Sequence, residues 1–342
     1  MSEQQQPVKK KTVLTGVKPT GEPHIGNYLG AIRPSLRLAS TPDYESFLFI
    51  ADYHALTTLP PAKEMKEYSH QVTATWLACG LDPEKTVIYR QSDVPETFEL
   101  TWILSCMSPK GLANRAHAYK AAVQANEEKG EADIDAGVNV GLYTYPILMA
   151  ADILICDSEI VPVGPDQVQH IEICRDVAQK LNREYGKCVK VPNFQVQEVG
   201  LIPGLDGRKM SKSYDNGIPL FAESAQLRKL VMKIKTDSLP PEAPKSTEGS
   251  IPFVLYKEFS TPEKTAALAE KYVNGVGWGE VKEMLFTELD AYLKPKREIY
   301  HSLRAQPEKL DEVLKMGAEK ARLRAQRVLK RVRTTIGIDQ KV

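Results

Sequence analysis

Apolar and polar segments alternate along roughly the first half of the chain in a pattern that predicts strands separated by helices. Short, continuously apolar runs predict strands buried on both faces, at residues 13–16, 46–51, 86–89 and 160–163. Stretches with helical spacing lie between and after them, from about residue 25 and over 62–78, 95–105, 145–155 and 166–185. This alternation is typical of a parallel sheet with crossover helices.

The pattern changes after about residue 219, where apolar positions keep only helical spacing. A Pro-rich linker at 238–250 is followed by a helix start at Thr261-Pro262, with Thr as the cap and Pro in the first turn. Helices then continue to about residue 335. We therefore predict an α/β fold: a doubly wound, Rossmann-like parallel-sheet domain followed by a C-terminal all-helical domain.

The predicted boundaries divide the chain into three parts. Residues 1–10 form a disordered tail, 11–218 the Rossmann-like domain and 219–342 the helical domain. An insertion is expected around 106–140, where 124–140 is polar and predicted to be exposed. The length of 342 residues agrees with two domains.

Composition narrows the class of protein. The 45 basic and 44 acidic residues give a net charge of +1, which excludes a uniformly polycationic or polyanionic chain but allows local clusters. Five cysteines without a C-x-x-C pair argue against a disulfide framework or a structural zinc site. The longest apolar stretch, 147–156, is shorter than the ~20 residues of a membrane span, and the N-terminus has no signal-peptide pattern. We expect a soluble, cytoplasmic protein without a membrane partner.

A first candidate motif, His24-Ile25-Gly26-Asn27, lies between the first strand and the first helix. In a doubly wound sheet this edge binds ligands, and a helix N-terminus suits phosphate. His24 and Asn27 share a face of the first turn, and both can donate hydrogen bonds. Taken alone, the segment is equally well interpreted as a helix-capping loop. Neither G-x-G-x-x-G nor a Walker A loop is present.

A second candidate motif, Lys209-Met210-Ser211-Lys212-Ser213, follows a Gly-rich loop. Two lysines flanked by glycines can close over a triphosphate and neutralise a pyrophosphate leaving group. By itself, such a pair of lysines is more often a solvated basic turn.

Together the two motifs resemble those of class I aminoacyl-tRNA synthetases. The chain is similar to the tryptophanyl family over about 12–337, with matching segments at 21–31, 52–57, 145–154, 161–170 and 310–321. The Asn that ends the first motif and the run Met149-Ala150-Ala151-Asp152 favour this branch over the tyrosyl family, which shares the fold and both motifs.

The resemblance implies a tryptophan pocket. Tyr145, Met149 and Asp152 recur at i, i+4 and i+7, so they share one helix face. Asp152 is implied to accept the indole N–H, with Met149, Val161 and Val163 as walls. Tyr145 and Gln167, assisted by His54, are implied to hold the α-amino group. Without the resemblance, Met149 and the valines are better explained as core, whereas a carboxylate in an apolar run is costly to bury without a partner.

The resemblance also implies an ATP site. The implied contacts are Lys18, Pro19, Thr20, Gly26, Asn27, Gly164, Pro165, Asp166, Leu201, Lys209, Met210, Ser211, Lys212 and Ser213. Among these, Gly164 and Asp166 would hold the ribose and Leu201 the adenine. Mg²⁺ would be carried on the ATP phosphates with few or no protein ligands, so no protein metal site is predicted.

Two positions depart from the family pattern. Lys18 stands where many relatives carry Gln, and Ala122 stands where some relatives place a second Lys. We hypothesise that Lys18 supplies the phosphate contact that Ala122 lacks.

The implied activity is that of a tryptophan–tRNA ligase, with ATP, L-tryptophan and tRNA(Trp) as substrates and a homodimer as the assembly. His24, Asn27, Lys209 and Lys212 would stabilise the transition state. The alternatives are a tyrosyl-tRNA synthetase and a non-catalytic tRNA- or ATP-binding paralogue. The helical C-terminal half disfavours another class, a nucleotidyltransferase.

The helical domain is implied to read the anticodon. Seven basic residues between Lys320 and Arg333 form either an RNA-binding face or an ordinary solvated one. A basic group at Arg228, Lys229, Lys233 and Lys235 has the same two interpretations.

Overall fold

The computed structural model describes residues 10–196 and 200–339, apart from the side chain of Asp166. The predicted tail at 1–10 lies outside this description except for Lys10. The strands are β1 (Lys11–Val17), β2 (Tyr44–Ile50), β3 (Thr86–Arg90), β4 (Ile160–Val163) and β5 (Asn193–Val196). The α-helices are α1 (Ile25–Asn27), α2 (Arg33–Ala39), α3 (Asp52–Ala55), α4 (Ala62–Ala78), α5 (Glu96–Met107), α6 (Lys110–Ala113), α7 (His117–Lys129), α8 (Val140–Ile155), α9 (Val168–Tyr185), α10 (Ser224–Met232), α11 (Ile251–Phe259), α12 (Pro262–Asn274), α13 (Trp278–Arg304) and α14 (Pro307–Ile336). A π-helical turn, Tyr28–Ile32, joins α1 to α2, and short 3₁₀ turns follow several elements.

The strands form one parallel sheet in the order β3-β2-β1-β4-β5. β1 pairs with β2 over its full length, Lys11 opposite Tyr44 through Val17 opposite Ile50. The chain reverses its direction of winding between β1 and β4, which creates a crevice at the carboxyl ends of these strands. The predicted doubly wound sheet followed by helices is confirmed.

Three elements differ from the sequence-based expectation. β5 was not predicted because all four of its residues are exposed and give no buried apolar run. α11 lies between the predicted linker and the confirmed helix start at Thr261. The polar stretch 124–140 begins inside α7, so it is not loop throughout. Asn126 on that helix donates to the carbonyls of Ile134 and Ala136, at 2.9 and 2.8 Å, and so holds the loop that follows.

Helix α14 returns to the sheet and packs against β3. Its apolar stripe, including Ala321, Ala325 and Val328, is buried in the same hydrophobic cluster as β1 to β4. The approach is so close that a Cβ on Gly317 would lie 1.7 Å from the carbonyl oxygen of Ile88. The other hydrophobic cluster joins α1 and α4 to α10–α14. Each of the two clusters therefore contains residues from both the sheet half and the helical half. In the described part of the chain, no helix is long and apolar enough to cross a membrane.

Candidate active site

Two cavities open at the carboxyl ends of the strands. The first, about 490 Å³, is lined by residues that end β1 and β2, by β4 and by one face of α8. The second, about 750 Å³, is lined by the start of α1, the turn after β4 and the loop around residues 200–214. Both lie where the winding of the sheet reverses, which is where this fold binds ligands.

All seven residues predicted to hold tryptophan line the first cavity, namely His54, Tyr145, Met149, Asp152, Val161, Val163 and Gln167. Val161 and Val163 are buried, and Met149 is half-buried against the same core. The hydroxyl of Tyr145 lies 2.5 Å from Nε2 of His170, a second ring that lines this cavity. Helical spacing places Tyr145, Met149 and Asp152 along α8, and the sheet supplies the opposite wall.

Asp152 is the buried polar centre of the first cavity, with 3% of its surface exposed. Nε2 of His54 lies 2.9 Å from Oδ2 of Asp152, and Nε2 of Gln91 lies 2.9 Å from both of its oxygens. Burial raises the pKa of the Asp152 carboxyl, whereas the hydrogen bonds from His54 and Gln91 oppose that rise. The cavity therefore presents one partnered carboxylate among apolar walls.

Gln91 is a member of this site that the sequence did not reveal. It is 1% exposed and follows β3 directly, at the edge where the parallel strands end. That position was the available signal, since polar side chains after parallel strands converge at one edge. Nothing local connects Gln91 to Asp152, which lies 61 residues further along the chain.

The two residues of the first motif cap α1 reciprocally. The N–H of Asn27 donates to Nδ1 of His24, and the N–H of His24 donates to Oδ1 of Asn27, both at 3.1 Å. Since a backbone N–H can only donate, Nδ1 of His24 is an acceptor and a neutral ring carries its proton on Nε2. Burial and the nearby Lys212 ammonium both lower the pKa of His24. The cap uses the acceptors of both side chains and leaves Nε2–H and the Asn27 amide donors.

The second motif contacts the first across the second cavity. Nζ of Lys212 donates to the carbonyl of Thr20 at 2.5 Å, and the N–H of Gly26 lies 3.2 Å from the sulfur of Met210. Lys209 and Lys212 are exposed at the cavity, whereas Met210 is buried. Partial burial lowers the pKa of Lys212. The loop thus anchors on an apolar side chain and presents two cations.

Asn216 organises this loop from inside, a role that the sequence did not indicate. It is 3% exposed; its Oδ1 accepts from the N–H of Ser211 at 2.9 Å, and its Nδ2 donates to Asp206 at 2.7 Å. Hydrogen bonds from Asn216 and Arg208 lower the pKa of Asp206 to about 2. A charged carboxylate therefore fixes the amide that shapes the loop.

Most of the predicted ATP residues line the second cavity, but not all of them. The second cavity is lined by Thr20, Gly26, Asn27, Gly164, Pro165, Leu201, Lys209, Met210, Ser211, Lys212 and Ser213, together with His24. Lys18 instead lines the first cavity, and burial lowers its pKa. Pro19 is buried and lines neither cavity, and the side chain of Asp166 lies outside the described part. Within that part, no group of three His, Cys, Asp or Glu side chains could hold a metal ion.

Comparison with known proteins identifies the family of this chain. A family model for class I tRNA synthetases (W and Y) matches residues 6–294. The tryptophan–tRNA ligase of Neisseria meningitidis is 51% identical over 332 residues, which are 97% of this chain and 99% of the relative. This chain belongs to the tryptophanyl-tRNA synthetase family. The ligase of Xanthomonas campestris is 50% identical over 95% of this chain and 76% of its own length.

A solved tryptophanyl-tRNA synthetase supports the same family assignment. The Campylobacter jejuni enzyme, in a crystal structure complexed with ADP and tryptophan, superimposes with a TM-score of 0.86 at 41% identity. The match covers 95% of this chain and 99% of that one. The tyrosyl alternative is not favoured by these relatives.

In this synthetase the basic face predicted on the last helix is largely occupied by ion pairs. Four arginines of α14 bind carboxylates of the Rossmann-like half, in the pairs Arg322–Glu96, Arg324–Glu45, Arg331–Asp157 and Arg333–Glu99. Arg322, Arg331 and Arg333 remain exposed, as expected for a basic outer face, but their charges are paired with carboxylates of the same chain. Arg228 of the second basic group pairs with Glu283 at 2.8 Å.

Proposed function

We propose that this synthetase forms tryptophanyl-adenylate across its two cavities and then transfers tryptophan to tRNA(Trp). The observation that carries the proposal is Asp152, a buried and partnered carboxylate among the apolar walls of the first cavity. The indole ring offers one polar group, its N–H, and so requires a single acceptor in an apolar pocket. A polar group that binds a substrate N–H also rejects analogues without it.

Different residues of the first cavity would bind the indole ring and the α-amino group of tryptophan. Met149, Val161 and Val163 would contact the indole faces. Tyr145 and Gln167, with His54 near them, would hold the α-amino group, so that the carboxylate points towards the second cavity. Lys18 lines the first cavity, where its ammonium would meet the tryptophan carboxylate or the α-phosphate that it attacks.

In the first step, an oxygen of the tryptophan carboxylate attacks the α-phosphorus of ATP. The bond to the bridging oxygen breaks, and pyrophosphate leaves. Nε2–H of His24 and the amide of Asn27 would donate to phosphate oxygens, while Lys209 and Lys212 would neutralise the leaving pyrophosphate. Positioning and charge stabilisation dominate such a transfer, since little acid–base chemistry is needed.

The triphosphate site is proposed to include the remaining residues of the second cavity. Thr20, Gly26, Pro19 and the Ser211–Ser213 stretch would surround the phosphates, with Gly164, Pro165 and Asp166 at the ribose and Leu201 at the adenine. Among the described residues of this cavity, the polar side chains can donate or are cationic and none is a carboxylate, which fits phosphate oxygens better than a bare dication. Mg²⁺ would therefore be carried on the ATP phosphates.

In the second step, tRNA(Trp) receives the tryptophan on its terminal ribose. The helical half is proposed to read the anticodon. On α14, Lys320, Arg327 and Lys330 have no ion pair within the described residues and lie on one exposed side of the helix. These three, rather than the paired arginines, are the proposed phosphate contacts.

A homodimer is proposed as the assembly. Trp102 and Phe98, one turn apart on α5, are 72% and 40% exposed, and a second copy would cover them.

A cytoplasmic location is proposed as well. The five cysteines are free thiols, which agrees with a cytoplasmic enzyme.

Amino-acid-dependent ATP–pyrophosphate exchange, run with tryptophan and with tyrosine, tests the proposal. We expect exchange with tryptophan alone, and a loss of at least a hundredfold in kcat/KM for Asp152→Ala because the indole N–H loses its acceptor. Exchange with tyrosine alone would favour the tyrosyl alternative. No exchange with either amino acid would favour a non-catalytic paralogue.

A further inference from the structure

Behind the first cavity lies a buried polar side chain, Gln91, that the proposed reaction does not use. Its amide nitrogen is directed at Asp152, which does line the cavity. Its Nε2 is equidistant from Oδ1 and Oδ2, at 2.9 Å from each. Its Oε1 accepts from the backbone N–H of His54 at 3.4 Å. Since a carboxylate only accepts and a backbone N–H only donates, the orientation of the amide is unambiguous.

The two donors, His54 and Gln91, make three contacts that leave the two oxygens of Asp152 unequal. Oδ2 receives both His54 and Gln91, whereas Oδ1 receives Gln91 alone. In the described part of the chain, Oδ1 is therefore the oxygen with more accepting capacity left for a ligand. Because the carboxylate is held from two directions, it cannot turn freely about its terminal bond, and the free lone pair keeps one direction.

Gln91 is itself fixed by its neighbours on both sides. Arg90 pairs with Asp93 at 2.9 Å, and Arg90 also reaches Asp311 of α14 at 3.4 Å. Ser92 donates its N–H to Asp52 at 3.0 Å and its hydroxyl to the same carboxylate. The amide is thus presented from a backbone segment that cannot shift without breaking several charged contacts.

From these contacts we propose that Gln91 is a positioning residue for indole selectivity, which fixes the Asp152 carboxylate so that it accepts the indole N–H. The inference rests on the proposed function, because it assigns the indole N–H to Asp152. Without Gln91 the carboxylate is free to turn towards His54, and burial raises its pKa with one opposing donor fewer. A carboxyl that turns, or that carries a proton, no longer requires an N–H from its ligand.

The test compares tryptophan with its benzothiophene analogue, in which sulfur replaces the indole N–H. The quantity measured is the ratio of kcat/KM for the two amino acids in ATP–pyrophosphate exchange. In the wild-type protein we expect this ratio to be large, on the order of 10⁴ for a site that hydrogen-bonds its substrate. Gln91→Met keeps the side-chain length but has no donor, and we expect it to lower the ratio at least tenfold while the KM for ATP stays within about twofold.

Two further variants keep the test decisive. Gln91→Glu matches the volume of Gln and removes the neutral donor, so it lowers the ratio too and serves if Gln91→Met does not fold. Tyr89→Phe is the matched control: it removes a buried hydroxyl from β3 that bonds to Cys156 and not to Asp152, and it should leave the ratio unchanged.

Asp152→Ala separates the failure of this inference from that of the proposed function. If Asp152→Ala lowers the ratio and neither Gln91 variant changes it by more than twofold, Gln91 has only a structural role. Equal losses of activity for both amino acids in the Gln91 variants would lead to the same conclusion. If Asp152→Ala leaves the ratio unchanged, or if the wild-type protein does not discriminate, the assignment of Asp152 fails and the inference about Gln91 fails with it.

Discussion

The sulfur of Met210 accepts a hydrogen bond from the backbone N–H of Gly26 at 3.2 Å, across 184 positions of sequence. A Cβ on Gly26 would lie 3.1 Å from Cβ of Met210 and 3.0 Å from Nδ1 of His24, so a larger residue at this position would have to push one of these side chains aside. Met210 is 4% exposed, and the lysines on either side of it face the second cavity. The side chain therefore anchors the loop that presents Lys209 and Lys212.

Shortening this anchor should weaken the docking of the loop. Met210→Ala removes both the sulfur contact and its packing, which we expect to cost about 1.4 kcal/mol, or tenfold in kcat/KM for ATP. Met210→Leu keeps the apolar volume and should lose only about twofold, because a thioether is a weak acceptor. Steady-state pyrophosphate exchange measures both. Equal losses for the two variants would mean that packing does not hold the loop.

Removing the amide of Asn216 should disorder the same loop from inside. Asn216→Ala leaves the N–H of Ser211 and the Asp206 carboxylate without their partner, and we expect kcat of pyrophosphate exchange to fall about tenfold. Asn126→Ala is the matched control, because Asn126 also holds a loop through its amide but lies on α7. We expect this control to keep kcat within about twofold. A similar loss in both variants would remove the special role of Asn216.

His24 should make the stability of the fold depend on pH. Burial and Lys212 place its folded-state pKa below the ordinary value of 6.5, so the unfolded chain takes up a proton first as the pH falls. This contribution to stability is complete above pH 6.5 and is lost as the pH falls through the folded-state pKa. His24→Asn retains a capping side chain without the titration. Thermal unfolding from pH 8 to pH 5 should therefore show the wild type losing melting temperature relative to His24→Asn below about pH 6.5; parallel curves would contradict it.

Lys18→Gln tests which substrate Lys18 serves. Its ammonium lines the first cavity, so we expect KM for tryptophan to rise about fivefold, as for a contact worth about 1 kcal/mol, with a smaller change for ATP. Exchange kinetics with each substrate varied in turn give both values. A change confined to ATP would support the sequence-based assignment to the phosphates, and no change in either KM would reject a role in binding.

Gly317 should tolerate no side chain. Its Cβ would meet the Ile88 carbonyl at 1.7 Å, and neither α14 nor β3 can yield without moving the buried stripe of the helix. We expect Gly317→Ala to lower the free energy of unfolding by about 3 kcal/mol. Gly279→Ala, on α13 with nothing within 4 Å, should leave it unchanged or raise it by up to about 1 kcal/mol. Denaturant unfolding of the two variants compares them directly, and similar values for both would show that α14 can shift.

Several features of this protein follow from sequence alone because they depend on short-range spacing. The strands and helices of the first half have clear apolar periods, and the capping of α12 by Thr261 is encoded within four residues. The two motifs and the i, i+4, i+7 positions of Tyr145, Met149 and Asp152 also belong to single elements. These local patterns were enough to indicate the fold class; the predicted roles of the residues around the two cavities came from the resemblance to the synthetase family.

Other features required the tertiary structure because they join distant segments. The contact of Gln91 with Asp152 depends on which strand lies beside which helix, and no local period encodes that choice. The same holds for the arginines of α14: a helical wheel separates Arg322 from Ala321, but only packing against the sheet brings Glu96 within reach. Sequence determined which side chains are polar and how often they recur; the order of strands in the sheet decided which of them meet.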